Sequence, residues 1–361
     1  MTQIRILRAC VLLAALPGAA IPGRPPEPRL SYELNFSDEL ASSAQLAPLA
    51  ISAQLAPSAE PLALPERAAA PETAEADRPA PRPAAGGEFF YSADSDGTEV
   101  ARAAIDFDLS RVDRNRYLGV SVERARFNPG ARGWQSSDRV YLRAADRIGD
   151  WQLRARVGTD GHTLIGSASV NDEARIRKEF FVERDIVETR MGLDRGIYST
   201  FAGAAVDLPA DDRNVFTALA GVQAFTGDNV RLHLRGSYVH VLKPEWGLSA
   251  QLRGRYFQSS VPGEFDYYSP RWYAEVLPVL QMRRFVGGWE LLGAAGLGMQ
   301  RDSASDWRSS RYAHARFRSP LRSSGWDLNG AFAYTNTPSL AGTSGSGYSY
   351  VQFNLGVSKR F

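Results

Sequence analysis

The chain has 361 residues, 44% of them hydrophobic and 11% aromatic, and its 42 basic and 40 acidic side chains leave a formal net charge of +2. That balance argues against a nucleic-acid partner, and a single cysteine, Cys10, excludes an intramolecular disulfide. No apolar run reaches the roughly 18 residues that a membrane-spanning helix needs, but a transmembrane β-barrel escapes that test because only alternate residues are apolar.

Residues 1–20 read as a secretory signal peptide. Arg5 and Arg8 precede an apolar core, Ala9–Leu16, and Gly18, Ala19 and Ala20 supply small residues before a cleavage point. Cys10 opens that core, whereas a lipoprotein would carry its cysteine after it. Residues 21–87 are rich in Ala and Pro, and Ser43–Pro48 (S-A-Q-L-A-P) recurs at Ser52–Pro57. Such a composition cannot bury a core and is expected to form a disordered periplasmic tether. A docking arm for a periplasmic partner is the alternative.

From Glu88 to Phe361 the chain reads as consecutive strands. Trp151, Leu153, Ala155 and Val157 alternate with Gln152, Arg154 and Arg156. Val230, Leu232 and Leu234 alternate with Arg231, His233 and Arg235, and Leu248, Ala250 and Leu252 with Ser249, Gln251 and Arg253. Trp289, Leu291, Ala295 and Leu297 form another such face, as do Trp326, Leu328, Phe332 and Tyr334. Asp96-Gly97, Gly149-Asp150, Asp160-Gly161, Gly227–Asn229 and Gly287-Gly288 are hairpin signals, and Pro209–Arg213, Lys243–Glu245 and Ser319–Ser323 are further breaks. The spacing predicts an all-β fold, an antiparallel transmembrane barrel of about 16 strands. Strands are expected to begin near residues 88, 98, 116, 135, 150, 162, 175, 195, 214, 229, 245, 270, 288, 307, 323 and 348. An even count puts both termini in the periplasm and the longest connections, 259–269 and 336–347, outside the cell. A soluble barrel would hide the same apolar faces inside, with shorter strands.

The polar faces should line an aqueous lumen. They carry Arg139, Arg143, Arg154, Arg156, Arg231, Arg235, Arg253, Arg255, Arg316 and Arg318, with Asp106, Asp108, Glu123, Glu179, Glu183, Asp185 and Asp327 as acidic counterparts. Such groups either set the selectivity of a pore or stiffen the wall as an arginine–carboxylate network. Tyr141, Phe257, Tyr348 and Tyr350 are candidates for an inner track on which a sugar polymer could glide, and ordinary packing under an inward-folded loop explains them equally well. Catalysis is not expected. His162, His233, His240 and His314 offer no metal-ligand spacing, and His162 beside Asp160 reads as a hairpin turn. No metal or cofactor is expected.

The last strand ends Phe353, Leu355, Val357 and Phe361 on one face, and Lys359 takes a place on that same face. This ending resembles the C-terminal signal that the barrel assembly machinery reads on bacterial outer-membrane barrels. The stretches Tyr267–Tyr273 (Y-Y-S-P-R-W-Y), Arg195–Gly203 and Gly221–Asn229 resemble the C-terminal barrel of the export component encoded by bacterial cellulose synthase operons, and related exopolysaccharide export barrels. The likeness covers roughly residues 88–361 and implies sixteen strands, a bacterial outer-membrane location and outward passage of a cellulose-like or amino-sugar polymer. Outer-membrane lipids, and either an inner-membrane polysaccharide synthase or a periplasmic repeat protein, are the implied partners. Those exporters carry helical repeats before the barrel, whereas this chain carries the Ala/Pro segment. A general or anion-biased diffusion porin, a barrel enzyme and a structural barrel are the alternatives.

Overall fold

The computed structural model describes residues 80–131, 133–320, 325–338, 340 and 348–361. The expected signal peptide and most of the expected tether lie outside the described residues, as do residues 341–347 of the last long connection.

Sixteen antiparallel strands close into one barrel. They are β1 (Arg82–Asp94), β2 (Glu99–Arg111), β3 (Tyr117–Asn128), β4 (Gln135–Ile148), β5 (Trp151–Thr159), β6 (Leu164–Asp172), β7 (Lys178–Ile186) and β8 (Tyr198–Pro209). The ring continues with β9 (Asn214–Phe225), β10 (Val230–Lys243), β11 (Leu248–Ser259), β12 (Trp272–Val286), β13 (Trp289–Asp302), β14 (Arg308–Arg318), β15 (Trp326–Thr335) and β16 (Tyr350–Arg360). A short helix, α1 (Arg190–Arg195), sits between β7 and β8. Each strand pairs with its sequence neighbours, and β1 pairs with β16 to close the ring.

The strand starts agree with the sequence reading within about three residues, except at β1, which begins six residues early. The expected tether boundary at residue 87 therefore falls inside a strand. Closure explains the difference. β16 pairs with β1 from Ala84 opposite Arg360 to Asp94 opposite Tyr350, and Phe361 N–H donates to the Pro83 carbonyl at 3.0 Å. The first strand must run as long as its partner, whatever its side chains. A Cβ at Gly86 would lie 2.7 Å from the Val357 carbonyl, so the small residues that hid this segment from a hydrophobic pattern allow the close approach.

The alternating pattern sorts as a membrane barrel requires. Ile105, Leu142 and Leu297 are 73%, 68% and 74% exposed on the outer surface, far more apolar exposure than a soluble protein carries in one belt. All seven tryptophans lie at strand ends. Trp151, Trp246, Trp289 and Trp326 mark the rim that also holds the termini, and Trp134, Trp272 and Trp307 mark the opposite rim. Two aromatic girdles with an apolar belt between them match the two interfaces of a bilayer. Lys359 faces outward with its ammonium 5.1 Å from the Trp326 ring centre and 5.8 Å from that of Phe361, so a cation–π contact holds the one charge on the terminal apolar face. The charged segment after Arg175 forms β7, with Phe180 and Val182 outward and Glu179, Glu183 and Asp185 buried inside.

The two rims differ. The terminal rim carries mostly tight turns, such as Gly149-Asp150 and Gly287-Gly288. The other rim, here the loop rim, carries α1 and the long connections after β11 and β15.

Candidate functional site

All ten arginines named from the polar parity face the interior. On β2–β8 they are paired. Arg139, fully buried, contacts Glu123 at 3.3 Å and Asp185 at 3.1 Å. Arg156 reaches Glu123 at 2.9 Å, and Arg143 pairs with Asp106 and lies 3.7 Å from Asp108. Arg154 donates to the Asn115 side chain at 2.5 Å. Arg102 bridges Asp185 at 3.3 Å and also binds Glu188 beyond the end of β7. Apart from Arg139 with Glu123 on adjacent strands, these pairs join strands that are not neighbours, because β2 reaches β7 and β4 reaches β7. They tie the wall together across the lumen.

The opposite wall, β9–β14, is more basic. Glu290 accepts from Arg283 at 2.8 Å and Arg316 at 2.9 Å, and lies 3.7 Å from Arg318. Arg253 donates twice to the Gln251 side chain, at 2.8 and 2.7 Å. Arg235 and Arg255 stand directly opposite each other on β10 and β11, and like charges in that position repel. Arg231 and Arg255 rest on aromatic faces. The Arg231 guanidinium carbon lies 5.2 Å from the Phe225 ring centre and 4.4 Å from that of Phe257, and Arg255 lies 5.6 Å from Phe257 and 5.4 Å from Tyr273.

Both mouths are narrowed by inward-folded segments, the loop packing that the sequence reading held open for the inner aromatics without placing it. At the terminal rim the turn after β2 lies across the opening. Arg114 donates to Asp327 at 2.7 Å and to the Ser319 carbonyl at 2.9 Å, while Gln152 on the other side donates to the Asn115 carbonyl at 2.8 Å.

At the loop rim the closure is apolar. Val187, Ile197, Phe225, Phe257, Tyr267, Tyr268, Tyr273 and Leu340 form one buried cluster, with Met191 and Phe265 packed against it. Across the mouth, Ile186 and Leu193 pack on Phe90, Val100, Ala125 and Phe127 of β1–β3. The β7–β8 loop thus spans from one side of the ring to the other and forms a stopper with the β11–β12 loop and Leu340. Each large side chain buried there contributes about 1.5–3 kcal/mol, against roughly 1 kcal/mol for a typical hydrogen bond. The apolar cluster therefore dominates closure, and the polar contacts set its register.

Those contacts are specific. Thr189 caps α1, its hydroxyl accepting from Gly192 N–H at 3.0 Å, and Gly196 ends the helix at φ 65°, a left-handed conformation that glycine adopts without strain. Glu264 accepts from the backbone N–H groups of Asp228 and Asn229 at 2.5 and 3.1 Å. The Tyr268 hydroxyl donates to Asp302 at 2.7 Å, and its carbonyl accepts from Arg231 at 2.6 Å. Burial pushes the Glu188 carboxyl up to about 7, against the opposing pull of Arg102. Burial raises the Tyr267 hydroxyl most, the hydrogen bond from Asn229 acts the other way, and the neighbouring Glu264 carboxylate brings it to about 12 overall.

The four candidate track aromatics are all buried on the inside, in separate places. Tyr141 clusters with Ile165 and Tyr198, with the Arg156 guanidinium 4.0 Å from its ring centre. Phe257 belongs to the stopper cluster. Tyr350, at the start of β16, donates to Gln352 at 3.2 Å, and Tyr348 lies two residues before it. Asp160 accepts from the His162 and Thr163 N–H groups at 3.0 and 3.1 Å and from the Tyr198 hydroxyl at 2.6 Å, as expected of a hairpin turn. His233 and His240 point to opposite faces. Phe353, Leu355, Val357 and Phe361 all face outward.

The residues that sequence reasoning missed are Arg102, Arg114, Glu188, Glu264 and Asp266, with Val187, Ile197 and Leu340 of the stopper. One signal for them was present. Tyr267 and Tyr268 place two aromatics inside a connection that should otherwise be polar.

Among solved structures the chain is similar to a bacterial polysaccharide outer membrane secretin, at TM-score 0.56 and 15% identity, over 77% of this chain and 98% of that one. It is also matched, at TM-scores of 0.39 and 0.40, to Pseudomonas aeruginosa OccK5 (10% identity, 77% of this chain and 97% of that one) and Acinetobacter baumannii OccAB3 (11% identity, 79% and 100%). No family model and no curated protein matches the chain. The fold is a closed sixteen-stranded barrel, similar to that of the polysaccharide secretin.

Proposed function

We propose that this chain is a bacterial outer-membrane barrel that passes a saccharide polymer, or a related solute, out of the cell through a lumen shut at rest by the loop-rim stopper. The observation that carries this reading is the pairing of a polar-lined barrel with a closure made of loops. Loops can withdraw while the hydrogen-bonded wall stays intact. The fold likeness to a polysaccharide secretin supports the cargo class. Tight turns at the terminal rim support a periplasmic position for both termini. The apolar belt would contact outer-membrane lipid, and the barrel assembly machinery would read the final strand. A synthase in the inner membrane or a periplasmic repeat protein would deliver the polymer. The reading assigns no catalytic step to the chain.

A second reading, an anion-biased diffusion porin, is favoured by the basic wall on β9–β14. Reconstitution into planar bilayers, together with deletion of the gene in a polymer-secreting cell, separates the two. An exporter gives rare openings at rest, and its deletion abolishes polymer secretion. Steady conductance at rest with secretion unaffected would overturn the export reading.

A further inference from the structure

The inward-facing arginines of the lumen differ in their partners. Arg102, Arg111, Arg139, Arg143, Arg156 and Arg316 each have a carboxylate within 3.7 Å. Among the described residues, Arg231 and Arg255 have none within salt-bridge distance. Arg231 is fully buried, and its remaining links are the Tyr268 carbonyl at 2.6 Å and the Ser259 hydroxyl at 3.4 Å. Its Nη1 has no hydrogen-bond partner, and neither do Nε and Nη2 of Arg255. Both cations rest on the Phe257 ring, which keeps their guanidinium carbons within about 10 Å of each other. Two neighbouring cations whose unpartnered donor atoms are shielded from water are costly unless an anion joins them.

We propose that Arg231 and Arg255 form a binding site, beneath the stopper, for the carboxylate of an acidic saccharide such as a uronate, and that the Tyr268 carbonyl holds its place while the stopper is shut. This rests on the reading of the barrel as a saccharide conduit. The chemistry follows from the free donors. Nε and Nη2 form one edge of the guanidinium fork, the edge that grips a planar carboxylate through two parallel hydrogen bonds. The Phe257 and Tyr273 rings beside it offer apolar faces to a sugar. A carbonyl oxygen carries only a partial charge, so a carboxylate outcompetes it on Arg231. When it does, the β11–β12 loop loses the bond at Tyr268. Binding of the cargo and release of the stopper are thereby one event.

The test is calorimetric titration of the purified full-length barrel in detergent at low salt, with oligogalacturonate, a neutral cello-oligosaccharide and inorganic sulfate as probes. Folding is verified by heat-modifiable electrophoretic mobility. The uronate should bind, Arg231→Gln with Arg255→Gln should weaken it at least tenfold, and the neutral oligosaccharide should not bind. Arg231→Lys with Arg255→Lys, which keeps both charges and loses both forks, should fall between and serves as the readout if the glutamine variant does not fold. Arg284→Gln, at the terminal rim, should bind like the parent. Equal affinity in parent and double variant, sulfate binding as tightly as uronate, or no uronate binding by folded barrel would each overturn the proposal. A barrel that binds uronate at this site yet passes no polymer would refute the conduit reading and leave the site standing; a working conduit that binds no uronate would do the reverse.

Discussion

The hydroxyl of Thr189 donates to the Asp266 carboxylate at 2.6 Å while accepting from the N–H of Gly192. Asp266 also accepts from the N–H of Met191 at 2.7 Å. One carboxylate in the β11–β12 loop thus completes the N-terminal cap of a helix in the β7–β8 loop. The two loops that make up most of the stopper share a single polar joint.

Replacing Asp266 with Ala should loosen that joint without touching the wall. Loss of a cap contact costs roughly 1–2 kcal/mol, so the open fraction in planar bilayers should rise about tenfold. Thermal unfolding of the barrel should stay where it is. An unchanged open fraction in folded protein would show that the loops do not gate.

Closure should depend on pH through Glu188. Its carboxyl in the shut stopper titrates near 7, above the ordinary carboxyl value of 4.5. The shut form therefore holds the proton more tightly than a form with Glu188 in water. That contribution is complete below the ordinary carboxyl value and is lost as pH rises through about 7. Openings should be roughly seventyfold more frequent at pH 8 than at pH 5, and Glu188→Gln should flatten the profile. A profile that stays steep in the variant would assign the titration to another group.

The basic wall predicts selectivity. Changing Arg231, Arg235, Arg253 and Arg255 together to Gln removes four positive charges from two adjacent strands. Reversal potentials across a salt gradient should move toward cations. A well-folded quadruple variant with the parent's reversal potential would rule out an arginine-set field.

Orientation can be read by labelling intact cells. A tag at Pro262-Gly263, exposed on the loop rim, should be reachable, and one within Lys243–Glu245 at the terminal rim should not. The opposite pattern would invert the barrel.

The wall of this protein was legible in its sequence because a lipid-facing strand has to alternate. Leu232 and Leu234 cannot be polar, and Arg231 and Arg235 cannot face hydrocarbon. Turn glycines then fixed the count. The stopper was not legible, because no period governs a loop that folds inward. Val187, Ile197 and Leu340 are single apolar residues in irregular segments, and only their convergence makes them a cluster. The ion pairs were half legible. Parity put Arg139 and Asp185 inside, but nothing in the sequence told that Arg102 would reach Glu188. The track aromatics show the same limit, since parity turned Tyr141 and Phe257 inward without saying that they would serve different clusters.

The seam between β1 and β16 also bears on how the chain reaches its folded state. The first strand is made well before its partner, which follows more than 250 residues later in the chain. Throughout that interval an unpaired edge is open to every other extended segment in the periplasm. The leading half of β1 is Arg-Pro-Ala-Ala-Gly-Gly, with little side-chain surface to stick and a proline that cannot donate. Such an edge makes few wrong partnerships while it waits. The feature that hides the start of this strand from a hydrophobic pattern thus guards the nascent chain against aggregation until the ring can shut.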